Sequence, residues 1–451
     1  MPIIHAKHAL LAEGIADEVR VTIEGARITT IDAGVPSEPG DERVGLLLPG
    51  MANLHSHAFQ RGMAGLAEMR GAQADSFWTW RETMYRFAQA MTPDQLEAIA
   101  AQLYVEMLEA GFTRVGEFHY LHHDRDGTPY ADIAEMAGRI FAAAAATGIG
   151  MTLLPTFYAH STFGGAAPAP EQRRFINDLD SYARLFEGCR RHVVNLEDAR
   201  VGVAPHSLRA VTPEELATVA SLARDAPIHI HAAEQTKEVD DCLAWSGRRP
   251  VEWLLDNAGI DRRWCLIHAT HMTESETVRL AQSGATVGVC PVTEANLGDG
   301  IFNGRSYLAA GGAVGIGTDS NILIGVVDEL RQIEYSQRLR DRARNVLSTG
   351  GGSTGLTLFE AARRGGALAL GTDGAGIAAG GRADLVAVDT AGPAFAAVPA
   401  MQLLDAWIFA SRGAVDGVWV DGRKLVDGGR HIWSEAVRNR FLGVMKELAE
   451  T

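Results

Sequence analysis

The sequence predicts an α/β protein: a (β/α)8 TIM barrel carrying a small β-sandwich domain formed from both chain termini. Three observations lead there. Through the middle of the chain, short β-rich segments alternate with helical ones, the pattern of a parallel sheet with helical crossovers. Both ends read instead as hairpins. At 451 residues, with 47% hydrophobic and 22% charged residues, the chain has the length and the apolar content for a barrel with additions.

Taken in order, VRVTI, Glu24-Gly25 and ARITTI form two alternating strands around a tight turn. Barrel strands are expected at 46–48, 113–118, 150–155, 200–204, 227–231, 264–268, 285–290 and 313–317. Helices begin where Thr92, Thr212 and Thr273 each precede a Gln or Glu by three residues, the capping-box spacing. Gly111 and Gly148 sit where helices should end. Two stretches exceed plain connectors: 58–90, rich in aromatics and Met, and 344–355 with its STGGGSTG; such loops often bind or cover ligands. GGRADLVAVD and a hairpin turning at Asp421-Gly422 return the chain to the β domain, and 434–448 has helical spacing. The division is 1–48 and 377–451 for the β domain and 49–376 for the barrel. An open doubly wound sheet is the alternative, but no Gly-x-Gly-x-x-Gly follows the first strand to support a nucleotide-binding version.

The formal charge of −15 argues against nucleic acid or an anionic membrane as a partner. No apolar run approaches the ~20 residues of a membrane span. The start, MPIIHAKHALLAEG, has no basic region followed by a long apolar stretch. Cys189, Cys242, Cys265 and Cys290 are widely spaced, as reduced thiols in a cytoplasmic protein would be.

Chemistry in such a barrel gathers at the C-terminal ends of the strands. The segment LLLPGMANLHSHAFQR places His55 and His57 two residues apart, so in an extended chain both imidazoles share a face. Alone, the pair reads equally well as surface or core histidines. Later strand ends add Glu117, His119 and Tyr120, then His206, then His229, His231 and Glu234, then His268, and last Asp319. Each could be a satisfied buried group, but chance would scatter them along the strands. Three neutral imidazoles and a carboxylate suit one borderline divalent ion, Zn²⁺ above others, with a position left for water. The expected ligands are His55, His57, His231 and Asp319. A two-ion site commonly needs a bridging ligand, often a carboxylated lysine, and Lys7, Lys237, Lys424 and Lys446 all fall outside the expected barrel strands. His5, His8, His122, His123, His160 and His192 are read as structural, and His229 as a neighbour of the ligands.

PGMANLHSH, HIHAAE, the lone His268 and IGTDS together resemble the motifs of the amidohydrolase superfamily, and the resemblance runs over essentially the whole chain. NLHSHAFQRGMAGLAE and GEFHYLHHD are similar to its branch that converts N-formimino-L-glutamate to N-formyl-L-glutamate and ammonia in histidine degradation. The reaction implied is hydrolytic deamination by water that the ion has made acidic. Asp319 would take or steer the proton, and His268 would orient the nucleophile. Glu234 would carry a proton to the imino nitrogen, a role worth about 10²–10⁴-fold, although it also reads as a helix-start residue.

This substrate is a small dianion and the protein is itself negative, so local cations must hold it. Arginine binds carboxylate through a planar fork that lysine cannot copy. Arg81 and Arg209 are the expected clamps, with Arg61 competing for the role of Arg81. The resemblance implies that Gln60, Tyr120 and His206 complete the pocket. A related deaminase of a purine, pyrimidine or triazine ring, or cleavage of the other C–N bond to release formamide, remain alternatives. A homodimer is the class-level expectation for a symmetric soluble enzyme.

Overall fold

Hydrophobic alternation at the two chain ends builds a β domain from strands of both termini, joined edge to edge. The computed structural model describes every residue except 1, 70–76, 195, 349–350 and 451.

 Ile3–Leu11, Gly14–Glu24, Arg27–Ala33 and Glu42–Pro49 come from the N-terminal end, and Leu385–Val388, Val415–Val420, Arg423–Asp427 and Arg430–His431 from the C-terminal end. Glu42–Pro49 lies between the two groups, parallel to Ile3–Leu11 on one side and antiparallel to Leu385–Val388 on the other. Hydrogen bonding therefore runs through one eight-stranded sheet, where the sequence suggested a sandwich. Ile4, Val19, Val21, Leu47, Leu385 and Trp419 form its buried core.

The strand expected at 46–48 belongs to this sheet. The first barrel strand is Met51–Ser56, and the Pro49-Gly50 break separates the two. An apolar run by itself cannot say which of two sheets it joins. The barrel continues through Phe112–His119, Gly150–Phe157, a fourth strand in two pieces (Arg200–Val201 and Ala204–Pro205), Ile228–Ala232, Trp264–His268, Thr286–Val289 and Ala313–Ile316. Parallel bridges Val203↔Ile228 and Ser56↔Asp319 join its two halves. Leu54 fills the interior, and it fits because positions 288 and 315 are glycines: a Cβ there would lie 2.5 and 2.4 Å from its methyl groups.

Thr92, Thr212 and Thr273 cap the helices Pro93–Glu109, Pro213–Leu222 and Glu274–Gln282 with reciprocal capping boxes, and Gly148 ends Glu135–Thr147 at φ +80°. After the first barrel strand come a 3₁₀ turn, Ala58–Met63, and the helix Phe77–Ala90. Within the two long stretches noted above, 70–76 and 349–350 lie outside the described residues. The C-terminal helix Ser434–Ala449 packs on Pro93–Glu109, where Arg440 pairs with Glu97 at 2.6 Å. All four cysteines are buried free thiols. Among the described residues no helix is long and apolar enough to cross a membrane.

Candidate active site

Period-two side-chain direction places His55 and His57 on one face at the end of the first barrel strand. A polar network then locks this strand to the turn after the eighth. Asn53 Nδ2 donates to Thr318 Oγ1 at 2.6 Å, and Thr318 Oγ1 donates to Asn321 Oδ1 at 2.6 Å. Asn321 Nδ2 in turn donates to the His57 carbonyl at 3.0 Å. Glu117 holds the other side, accepting from the Ala58 N–H at 2.6 Å and from the Tyr104 hydroxyl at 3.2 Å. These contacts fix His55 and His57 against Asp319.

His55, His57, His231 and Asp319 are all buried, and one donor atom from each lies within 4.8 Å of the others. His57 Nδ1–H donates to the Phe118 carbonyl at 2.8 Å, and His231 Nδ1–H to the His206 carbonyl at 3.0 Å. Both Nε2 lone pairs are thereby turned inward. His231 Nε2 stands 3.2 Å from His55 Nε2, and Asp319 Oδ1 stands 3.3 and 3.2 Å from the Nε2 atoms of His55 and His57. Burial holds the His231 imidazole well below its usual pKa, and the His55 imidazole is pushed down to about 3 chiefly by burial. Facing lone pairs on neutral rings repel unless a cation lies between them. Donors at roughly 2.0–2.1 Å from a tetrahedral ion would stand about 3.3 Å from one another, which matches the observed spacings. The residues fit a divalent metal ion.

Around this set lie the residues singled out for the reaction. Glu234 Oε1 is 3.7 Å from His268 Nε2, and Asp319 Oδ2 is 3.9 Å from it. Burial raises the pKa of the Glu234 carboxyl, against the pull of His268 and Arg209. Burial alone would lower that of His268, but Glu234, Glu294 and Asp319 outweigh it and raise the imidazole to about 10. The backbone is strained at the same strand ends: φ is +52° at Ala233, +68° at His268 and +44° at Asp319, a region uncommon for side-chain-bearing residues.

One pocket is lined by Gln60, Arg81, Tyr120, His206 and Arg209 together with His57, His231, Glu234, His268 and Asp319. Gln60 Nε2 donates to the Tyr120 hydroxyl at 2.8 Å. Arg81 donates from Nε to the Tyr85 hydroxyl at 2.6 Å and from Nη2 to the Tyr158 hydroxyl at 3.2 Å. Arg209 is buried, its Nη2 is 3.9 Å from Glu234 Oε2, and its Nε has no hydrogen-bond partner among the described residues. Arg61 points elsewhere: it pairs with Glu106 at 2.7 Å and donates to the Asn321 carbonyl at 3.0 Å. His229 donates to the Ala369 carbonyl at 2.8 Å and does not join the ligand set. Lys237 pairs with Asp241 on a helix surface at 2.6 Å. His122, His123, His160 and His192 bond to Thr156, Ile176, Glu215 and Asp132.

Sequence reasoning missed Tyr85 and Tyr158, which hold Arg81, and the Asn53–Thr318–Asn321 lock. It also missed Glu294, which accepts from His268 Nδ1–H at 3.2 Å. Polar residues inside apolar strands, such as Asn53, were the available signal.

The model of the amidohydrolase family matches residues 46–425, and that of the N-terminal domain of formimidoylglutamate deiminase HutF matches residues 1–45. A formimidoylglutamate deiminase of Pseudomonas aeruginosa is 51% identical, with all of both chains covered. A crystal structure of an amidohydrolase from Brucella melitensis, 59% identical, superposes with a TM-score of 0.97 over all of both chains. An adenosine deaminase from Xanthomonas campestris with bound zinc, 22% identical, shares the fold at a TM-score of 0.80, covering 100% of this chain and 98% of its own.

Proposed function

The chain belongs to the amidohydrolase family and, within it, to the formimidoylglutamate deiminases, and from this premise we propose how its pocket turns N-formimino-L-glutamate and water into N-formyl-L-glutamate and ammonia in histidine degradation. His55, His57, His231 and Asp319 would hold one divalent ion, Zn²⁺ by ligand type. When bound, the ion lowers the pKa of water so that a nucleophile is available near neutral pH.

The chain's own residues do the rest. His268 Nε2 and Asp319 Oδ2, 3.9 Å apart, flank the attacking water and orient it towards the formimino carbon. Glu234, its carboxyl pKa raised by burial, delivers a proton from Oε1 to the imino nitrogen. The water oxygen ends in the formyl carbonyl, its two protons end on the departing nitrogen, and the C–N bond to that nitrogen breaks. Arg209 and Arg81 pair with the two substrate carboxylates, while Gln60, Tyr120 and His206 complete the walls. The Tyr85 and Tyr158 hydroxyls set the direction of the Arg81 fork.

The observation that carries this reading is the meeting of a metal-ligand set, a buried carboxyl and two arginines in a single pocket. A ring pocket for a purine or triazine would have no need of two cations there. Incubating metal-loaded protein with N-formimino-L-glutamate and measuring ammonia against formamide tests it. Stoichiometric ammonia is expected; formamide as the product, or no ammonia at full metal occupancy, overturns the assignment.

A further inference from the structure

Next to the four ligands is a second group of donors. A ring nitrogen of His268, Cys290 Sγ and a carboxylate oxygen of Asp319 lie within 4.8 Å of one another, and all three residues are buried. We infer that they form a second cation site, for a thiophilic divalent ion such as Zn²⁺ or Cd²⁺, which shares Asp319 with the first site and shuts the enzyme off when filled. The inference rests on the reading of the first site given above.

Three features prepare the donors. His268 is 0% exposed, and its Nε2 has no hydrogen-bond partner among the described residues. Its Nδ1–H donates to Glu294 Oε1 at 3.2 Å, the carboxylate–histidine arrangement that presents Nε2 as a ligand and strengthens its basicity. The same Glu294 oxygen accepts the backbone N–H of Cys290 at 2.8 Å, so one carboxylate positions both the imidazole and the residue that bears the thiol. Asp319 divides its oxygens: Oδ1 faces His55 and His57, while Oδ2 faces His268.

The surroundings favour added positive charge. Glu234 and Glu294 approach His268 at 3.7 and 3.2 Å. Asp299 is buried nearby, with its Oδ2 unpartnered among the described residues. Among divalent ions, a thiolate selects soft ones over Mg²⁺ or Ca²⁺, and binding displaces two protons, one from the Cys290 thiol and one from His268 Nε2. Filling the site occupies His268 Nε2 and Asp319 Oδ2, the two atoms assigned to orienting water. Activity should therefore rise with the first equivalent of metal and fall with the second.

The test titrates metal-free protein with Cd²⁺ and reads bound metal by equilibrium dialysis and the thiolate-to-cadmium charge-transfer absorption in the ultraviolet. The first equivalent should bind without the thiolate band and the second should bring it. In parallel, Zn²⁺-loaded enzyme should lose activity as a second equivalent of Zn²⁺ binds. Cys290→Ser should abolish the band and weaken the second equivalent, whereas Cys265→Ser should retain both. Glu294→Gln, which leaves all three donors in place, should weaken the second equivalent by about 10–100-fold. A single equivalent without a thiolate band in the folded, unsubstituted protein overturns the second site, as does a band that persists in Cys290→Ser. Failure of the first equivalent to bind would instead overturn the metal centre on which this inference stands.

Discussion

Replacing Arg209 with Met removes a buried guanidinium while keeping much of its apolar stem. Arg209 is only 8% exposed, so water cannot take its place beside a bound carboxylate without reopening the pocket. Leaving one partner of a buried charge pair alone costs about 3–5 kcal/mol, or about 10²–10⁴-fold at 1.36 kcal/mol per tenfold. The loss should fall on kcat/KM for N-formimino-L-glutamate and mainly through KM, because the carboxylate is far from the bond that breaks. Nη2 also lies 3.9 Å from Glu234 Oε2, so a share of the effect could act through the proton carrier. Steady-state kinetics with a formimino compound lacking carboxylates separates the two contributions, since it needs Glu234 but no clamp. Arg209→Lys keeps the charge without the fork and should fall between Arg209 and Met. If the uncharged compound loses as much kcat/KM as the dianion, the clamp is refuted.

Glu234→Gln should cut kcat by about 10²–10⁴-fold with metal content unchanged by elemental analysis; wild-type turnover would remove Glu234 from the proton path. Chelation should abolish ammonia release and lower the thermal midpoint, and Zn²⁺ should restore both; full activity in metal-free protein would exclude a metal role. Gly317→Ala would put a Cβ 2.8 Å from the carbonyl oxygen of His55, and overpacking of this kind costs about 1–3 kcal/mol, so weaker metal retention on dialysis and a lower midpoint are expected. Burial, with His57 adding to it, pushes His119 down to about 3, and burial also lowers His122, against an ordinary histidine value of 6.5. The folded pKa lies below the unfolded one, so this stability is complete above pH 6.5 and is lost as pH falls towards 3, at up to about 1.4 kcal/mol per pH unit per histidine. Urea midpoints should drop across that window, less steeply in His119→Gln, and an equal slope in that variant would contradict the assignment.

What could be read from sequence was whatever depends on local spacing. The two-residue step of His55 and His57 and the strand-to-loop position of Asp319 follow from period-two geometry, and three helix starts follow from their capping boxes. Whether Arg61 or Arg81 enters the pocket could not be read that way. The choice depends on where the helix Phe77–Ala90 docks and on Tyr158, which comes from a different strand end. That the two chain ends share one β domain could be read from their hairpins, but not which strand joins them: Glu42–Pro49 and Leu385–Val388 pair across the whole barrel sequence.

The strained residues show why such long-range contacts matter to the chemistry. Positive φ at Ala233, His268 and Asp319 costs of order 1–3 kcal/mol at each non-glycine residue, and something must hold them there. Glu238 accepts the Ala233 and Glu234 N–H groups at 3.0 and 3.1 Å. Glu294 holds His268, and the N–H groups of Thr318 and Asp319 both donate to the His55 carbonyl, at 3.1 and 3.0 Å. Each bend is thus fixed by a protein partner, on the helix that follows, elsewhere in the chain or on the facing strand. The ligand set is preorganised by the protein, so binding energy from the ion and the substrate need not be diverted into bending these strand ends.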